Sequence, residues 1–271
     1  MITLRYNPYL VFAASNTPFG IYARQKWIGL EKDVSWQADF ENCSASLLEG
    51  QSVDGSWGKS FLLTAQRVFG LHLTVRNPTE RINSALNWLF DRAVRADIID
   101  YLDKDDEINA VSLCNLPFVP GDRRLLYLSI ALFFCTIFNR AASHEVVAQY
   151  KELSRRVLKE ESDANKYCDI SNIMRALVVH PVFAEDSATT LLVGHLSKIQ
   201  EDSGAWPVGI PFYMTVNALA HLNNPHADRQ LDKAFSLLAD TQNPDGTWGY
   251  NEKEWNTFLV VHALRNKKIL Q

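Results

Sequence analysis

The eight residues Q-S-V-D-G-S-W-G, Gln51 to Gly58, are too polar and too bounded by glycine to sit inside a helix, yet strongly helical patterns flank them on both sides. The text returns as Q-E-D-S-G-A-W-P-V-G from Gln200 to Gly209, and again as Q-N-P-D-G-T-W-G-Y from Gln242 to Tyr250. The first glutamine recurs after 149 residues and then after 42. A repeat unit of about 42 residues is long enough for one helical hairpin, and the long gap holds three further units, somewhat enlarged, in which the loop signature is lost.

Two kinds of helix alternate around these loops. Trp36, Phe40, Cys43 and Leu47 fall on one face of a helix, as do Ile82, Ala85, Leu86, Leu89, Phe90 and Ala93, with Asn77 and Pro78 as its expected cap and first turn; Leu231, Ala234, Phe235 and Leu238 form a third such face. Between them run segments with little continuous polar face: Phe61 to Leu73, Leu125 to Phe138, Ile170 to Val179, Phe212 to Leu222 and Trp255 to Leu264. Water should touch these less, which makes them an inner layer. With an N-terminal pair over about residues 7–30, the chain accommodates six helical hairpins, and strand signals are nearly absent. The expectation is an all-α fold in one domain spanning 1–271.

Composition sets limits on function. With 47% hydrophobic and 21% charged residues the chain has material for a large core and no mark of disorder. A net charge of -4 provides no basic field for phosphate backbones, so nucleic acid is not an expected partner. Cys43, Cys114, Cys135 and Cys168 are widely spaced with no CxxC pair, which reads as free thiols in a reducing compartment; with only a short apolar run near the start, over Tyr9 to Ala14, a cytoplasmic protein is expected. The apolar stretch Leu125 to Phe138 falls short of the roughly 20 residues that span a bilayer and suits a helix buried on all sides.

The triplets Gln51/Gly55/Trp57, Gln200/Gly204/Trp206 and Gln242/Gly246/Trp248 resemble the QW repeats of squalene and oxidosqualene cyclases. The fold this resemblance implies is the (α/α)6 toroid, shared by class II terpene cyclases and the β subunits of protein prenyltransferases. In physical terms the glutamine amide meets orphan backbone groups at the end of a helix, the glycine permits a tight turn, and the tryptophan covers the junction. The signature is therefore read as structural.

Chemistry is expected elsewhere. Asp103, Asp105 and Asp106 spell D-x-D-D, which resembles the general-acid motif of class II terpene cyclases; the family's usual Thr and Ala are replaced here by Glu107 and Ile108. Protonating an alkene demands a carboxylic acid whose proton is aimed at substrate while neighbours stabilise the conjugate base. By the resemblance Asp105 is the proton donor, organised by Asp103 and Asp106. The carbocation then needs π faces and excluded water, for which Phe61, Phe212, Tyr213, Trp255 and Phe258 are the inner-layer candidates. Arg123 and Arg124, just before the apolar helix, are placed to meet a diphosphate.

Metal ligation finds less support. Aligning E-W-N-T-F-L with the last inner helix of prenyltransferases puts Asn256 where a zinc-ligating histidine would stand, and His195, His221 and His262 read as surface or core residues. No cofactor is assigned, with magnesium admitted only beside a diphosphate substrate. The leading expectation is thus an isoprenoid cyclase acting on a prenyl diphosphate or polyprenyl chain, open to peripheral membrane contact and to a homo-oligomer or second chain completing the site. The rivals are a toroid without chemistry that binds a lipid or protein partner, and a prenyltransferase-like enzyme.

Overall fold

The repeat loops follow a helix with one wet face and precede a helix buried nearly all round, so the alternation read from the sequence organises the chain. The computed structural model describes residues 3–95, 113–159 and 167–270. Those residues are all-helical: α1 Pro18–Ala23, α2 Val34–Leu48, α3 Phe61–Thr74, α4 Glu80–Val94, α5 Arg123–Ile137, α6 His144–Lys159, α7 Tyr167–Leu177, α8 Ser187–Ile199, α9 Phe212–Leu219, α10 Pro225–Asp240 and α11 Lys253–Asn266. Extended pairing among them is confined to isolated bridges inside the first repeat loop, Gln51 with Trp57 and Trp57 with Ser60. No helix among the described residues is long and apolar enough to cross a membrane.

The chain divides into two compact units. One comprises residues 1–40 together with 189–271, and the other comprises 41–188. In the second unit α5 is the central element, packed against α3, α4, α6 and α7. Its residues Leu126 to Thr136 are all buried, as an apolar helix with no polar face requires. Its start is set by Asp122, whose carboxylate accepts from the Leu125 amide at 3.1 Å. By contrast α4 buries one stripe, Ile82, Ala85, Leu86, Trp88, Leu89 and Ala93. Its cap is Thr79, which accepts from the Ile82 amide at 3.3 Å; Asn77 and Pro78 lie just outside the helix. A hydroxyl two atoms from the backbone reaches that N–H, and Pro78 only fixes the approach.

In the first unit α9 packs against α10 and α11, and α11 packs against α1. The expected N-terminal helical pair over 7–30 is instead a 3-10 turn at Leu10–Phe12, then the short α1, then a π-helical turn at Arg24–Ile28 closed by Gly29 in the left-handed conformation. The π turn is held from outside: the Arg24 guanidinium binds Asp39 at 2.6 Å and Ser35 at 3.2 Å, and the Trp36 indole donates to the Ile21 carbonyl at 3.1 Å.

Candidate functional site

The repeat loops are built alike, and their functional groups are consumed by the backbone. The amides of Gln51, Gln200 and Gln242 donate to the carbonyls of Gly55, Gly204 and Gly246 at 2.9, 3.0 and 3.1 Å. The same amide nitrogens reach a second carbonyl: Arg81 and Gln230, each 30 residues onward, for the first two, and Tyr6 for the third. The indoles of Trp57, Trp206 and Trp248 donate to the carbonyls of Glu49, Leu196 and Leu238, so each tryptophan caps the end of the preceding helix as well as covering it. All three rings are buried. The glutamine amides and tryptophan indoles of the signature are thus spent on backbone carbonyls.

The first unit holds a different kind of cluster. Phe258, from α11, has its ring centroid 5.0 Å from Trp27, 5.6 Å from Tyr22 and 5.8 Å from Phe19, and stacks on Trp255 at 5.9 Å with an interplanar angle of 11°. His262, one turn further on, lies 6.1 Å from Phe258, 6.4 Å from Trp27 and 5.4 Å from His221. Trp255 and Phe258 are buried, whereas Tyr22, Trp27, His221 and His262 are each only part-buried. Asn217, buried on α9, donates to the Leu259 carbonyl at 3.0 Å and sits 3.3 Å from His262 Nδ1. The result is a floor of buried rings with a rim of part-buried rings and two imidazoles.

The π turn places Trp27 in this cluster. Tyr22 and Trp27 are five residues apart, a spacing that falls on different faces of an α-helix but that the wider π turn brings to edge contact at 5.4 Å. Sequence periodicity therefore missed Tyr22 and Trp27; the available signal was two aromatics out of helical register just ahead of Gly29.

The residues expected from sequence are distributed as follows. Trp255 and Phe258 belong to the aromatic cluster. Phe212 and Tyr213 open α9, both part-buried, with Phe212 5.9 Å from the repeat-loop Trp206 and burial pushing the Tyr213 phenol up. Phe61 lies in the second unit at 0% exposure, stacked on Tyr127 at 4.1 Å, so its faces are taken up by core packing. Arg123 and Arg124 form the exposed first turn of α5. Asp103, Asp105 and Asp106 lie outside the described residues.

The second unit carries a smaller polar cluster. Arg175, buried on α7, lays its guanidinium carbon 5.0 Å from the centroid of Phe133. Phe133 is 6.3 Å from Phe69, which stacks with His72; the His72 ring meets Phe138 edge-on at 5.4 Å. Burial, with the Arg175 charge second, pushes the His72 imidazole down to about 4, and burial pushes the Arg175 guanidinium down to about 10.

No protein-family model and no curated protein matches the chain. Among solved structures, a protein from Actinoplanes is similar in fold, with a TM-score of 0.59 over 94% of this chain and 89% of that one, at 13% sequence identity. At that identity the likeness extends to the fold alone.

Proposed function

We propose that the hairpins belong to a closed (α/α)6 toroid and that the protein is a protonation-initiated isoprenoid cyclase. Support for the toroid comes from the repeat loops, each of which grips the start of the next unit through the same glutamine amide, the last one gripping the N-terminal segment. The observation that carries the activity is the rim of part-buried rings, Tyr22, Trp27 and His262, over the buried pair Trp255 and Phe258.

In this reading Asp105, flanked by Asp103 and Asp106, gives a proton to a terminal alkene of the bound chain. Successive double bonds then attack the cation, forming ring bonds, until a proton is lost. The ring faces of Trp27 and Phe258 stabilise the positive charge in a water-poor setting, where a cation on an aromatic face gains about 2 kcal/mol or more. The rings also hold the chain folded and keep water from quenching the cation.

The test is incubation with geranyl, farnesyl and geranylgeranyl diphosphates and with squalene. Wild type is expected to yield a cyclic product; Asp105→Asn should lose about 100-fold or more of the rate, the usual weight of a general acid, and Trp27→Leu should release linear or prematurely quenched products. Absence of cyclic product from all four substrates, or an equally active Asp105→Asn variant, would remove the reading.

A non-catalytic toroid that carries an apolar ligand is the second reading, and the same ring cluster suits it, since aromatic faces hold an apolar body without any chemistry. Retention of an apolar ligand in native mass spectra without turnover would select it.

A further inference from the structure

We propose that two copies of the chain pair through the groove between α6 and the turn at residues 182–186, with a two-fold axis running along it. Both walls of the groove lie in the second unit, residues 41–188, and the proposal draws on neither the aromatic cluster of the first unit nor Asp105.

The groove carries a cation on one wall and an anion on the other. Lys151, Ser154, Arg155 and Leu158 recur at the spacing of one helix face on α6, and across from them stand Val182, Glu185 and Asp186. The walls are in step, because Phe183 stacks on Tyr150 at 5.1 Å and the Ser154 hydroxyl donates to the Asp186 carboxylate. Lys151 and Glu185, each next to one of these tie points, therefore face each other's side at about one level. Two further charges are already engaged: Arg155 binds Glu152 on its own helix at 2.6 Å, and Asp186 accepts from Ser154 and from the Ser187 amide. Lys151 and Glu185 are exposed, and among the described residues neither enters an ion pair.

A second copy supplies the complement of both walls. Rotation about an axis along the groove carries each wall onto the other, so Lys151 of one copy meets Glu185 of the other, and the same pair forms again in reverse. The lysine stems, reaching across, run over the apolar floor and cover it. Leu158 and Val182, 44% and 67% exposed in the single chain, are withdrawn from water with them. A partner surface of one sign would satisfy one wall and be repelled by the other. The face is self-complementary because its two unspent charges are opposite in sign, level with each other and on opposite walls.

The experiment is sedimentation of the full chain over a range of concentrations at low salt. Wild type is expected to pass reversibly from monomer to dimer with a Kd on the order of 10–100 µM, as a small interface allows, and to dissociate more readily as salt rises. Lys151→Glu and Glu185→Lys should each weaken pairing about tenfold or more, since each sets like charges face to face at both ends of the axis. Mixed in equal amounts, the two variants should pair about as tightly as wild type, because every reversed charge then meets a reversed partner and every native charge a native one. Both side chains are exposed, so circular dichroism and unfolding midpoints should match wild type. A wild type that stays monomeric up to about 1 mM overturns the proposal. A dimer that neither reversal weakens overturns it too, since that dimer uses another face, and so does a mixture that pairs no better than its components. Any of these outcomes leaves the proposed function standing, and absence of cyclic product leaves the pairing standing.

Discussion

Gly204 shows how much one missing methyl group decides. Its φ is +91°, and a Cβ there would overlap the carbonyl of Lys233 at the adjoining helix. Gly55 repeats the situation at φ +95°, against the carbonyl of Ser84. Gly29 has the same sign of φ, +76°, but open space where its Cβ would stand. The two effects can be separated by substitution. Gly29→Ala should cost about 1 kcal/mol, the left-handed penalty alone. Gly204→Ala adds backbone overlap that no rotamer can relieve, and should cost about 3 kcal/mol or more. Denaturant unfolding of the two variants measures the gap, and equal losses would show that close approach at the repeat loop is not what the glycine secures. That a glycine was needed in each loop was legible from the spelling. Its partner was not, because the backbone it admits is supplied by a helix about 30 residues on, and local sequence carries no trace of that.

At the scale of the element, the buried-all-round segments were read within a few residues of α3, α5, α7, α9 and α11, since an apolar run with no polar face has few other places to go. The misreadings have physical causes. Thr79 rather than Asn77 caps α4 because capping depends on reach to a specific N–H, and the π turn after α1 changed the period on which face assignment rests. Helix α3 also carries a titration that can be measured. His72, in its last turn, is held near 4 against an ordinary 6.5. Between those values the unfolded chain binds a proton that the folded protein refuses, so stability is kept above pH 6.5 and lost as pH falls toward 4. His180 works in the same direction: its Nδ1 accepts from the amides of Val182 and Phe183, and burial pushes its imidazole down. The full loss from His72 is up to about 3 kcal/mol, at 1.36 kcal/mol per unit. Unfolding free energies at pH 7 and 4.5 should therefore fall by about 2 kcal/mol more in wild type than in His72→Phe, which keeps a ring in place and removes the proton site. Parallel pH profiles would mean that the imidazole is hydrated in the folded state.

For the molecule as a whole, the telling contact joins residues from opposite ends of the chain. Gln242 follows the pattern of Gln51 and Gln200 as far as its own loop, but its outer partner is 236 residues back: its Nε2 donates to the Tyr6 carbonyl at 3.0 Å, and its Oε1 accepts from the amides of Arg5 and Tyr6 at 3.1 and 3.0 Å. Gly246 approaches the Asn7 carbonyl as Gly204 approaches Lys233. The N-terminal segment thus stands in, within the first unit, for the helix start that the other two loops grip. Repetition in the sequence pointed to one shared loop structure; it did not say which backbone each glutamine would grip, least of all what the last loop would hold. The segment has no helix of its own beyond the Leu10–Phe12 turn, and it is held by this docking together with Phe12, packed against Trp27 and Phe258, and the Arg265 guanidinium on the Tyr9 hydroxyl. Gln242→Ala removes three hydrogen bonds across that contact and should cost about 2–3 kcal/mol, at roughly 1 kcal/mol per bond. It should also speed hydrogen exchange at residues 5–12 and 242–250 together. Removing residues 1–8 should cost a similar amount, and combining the two changes should cost little more than either, since both break one contact. Additive losses would show that the segment and the last loop are stabilised separately, and support for a closed ring of hairpins would go with them.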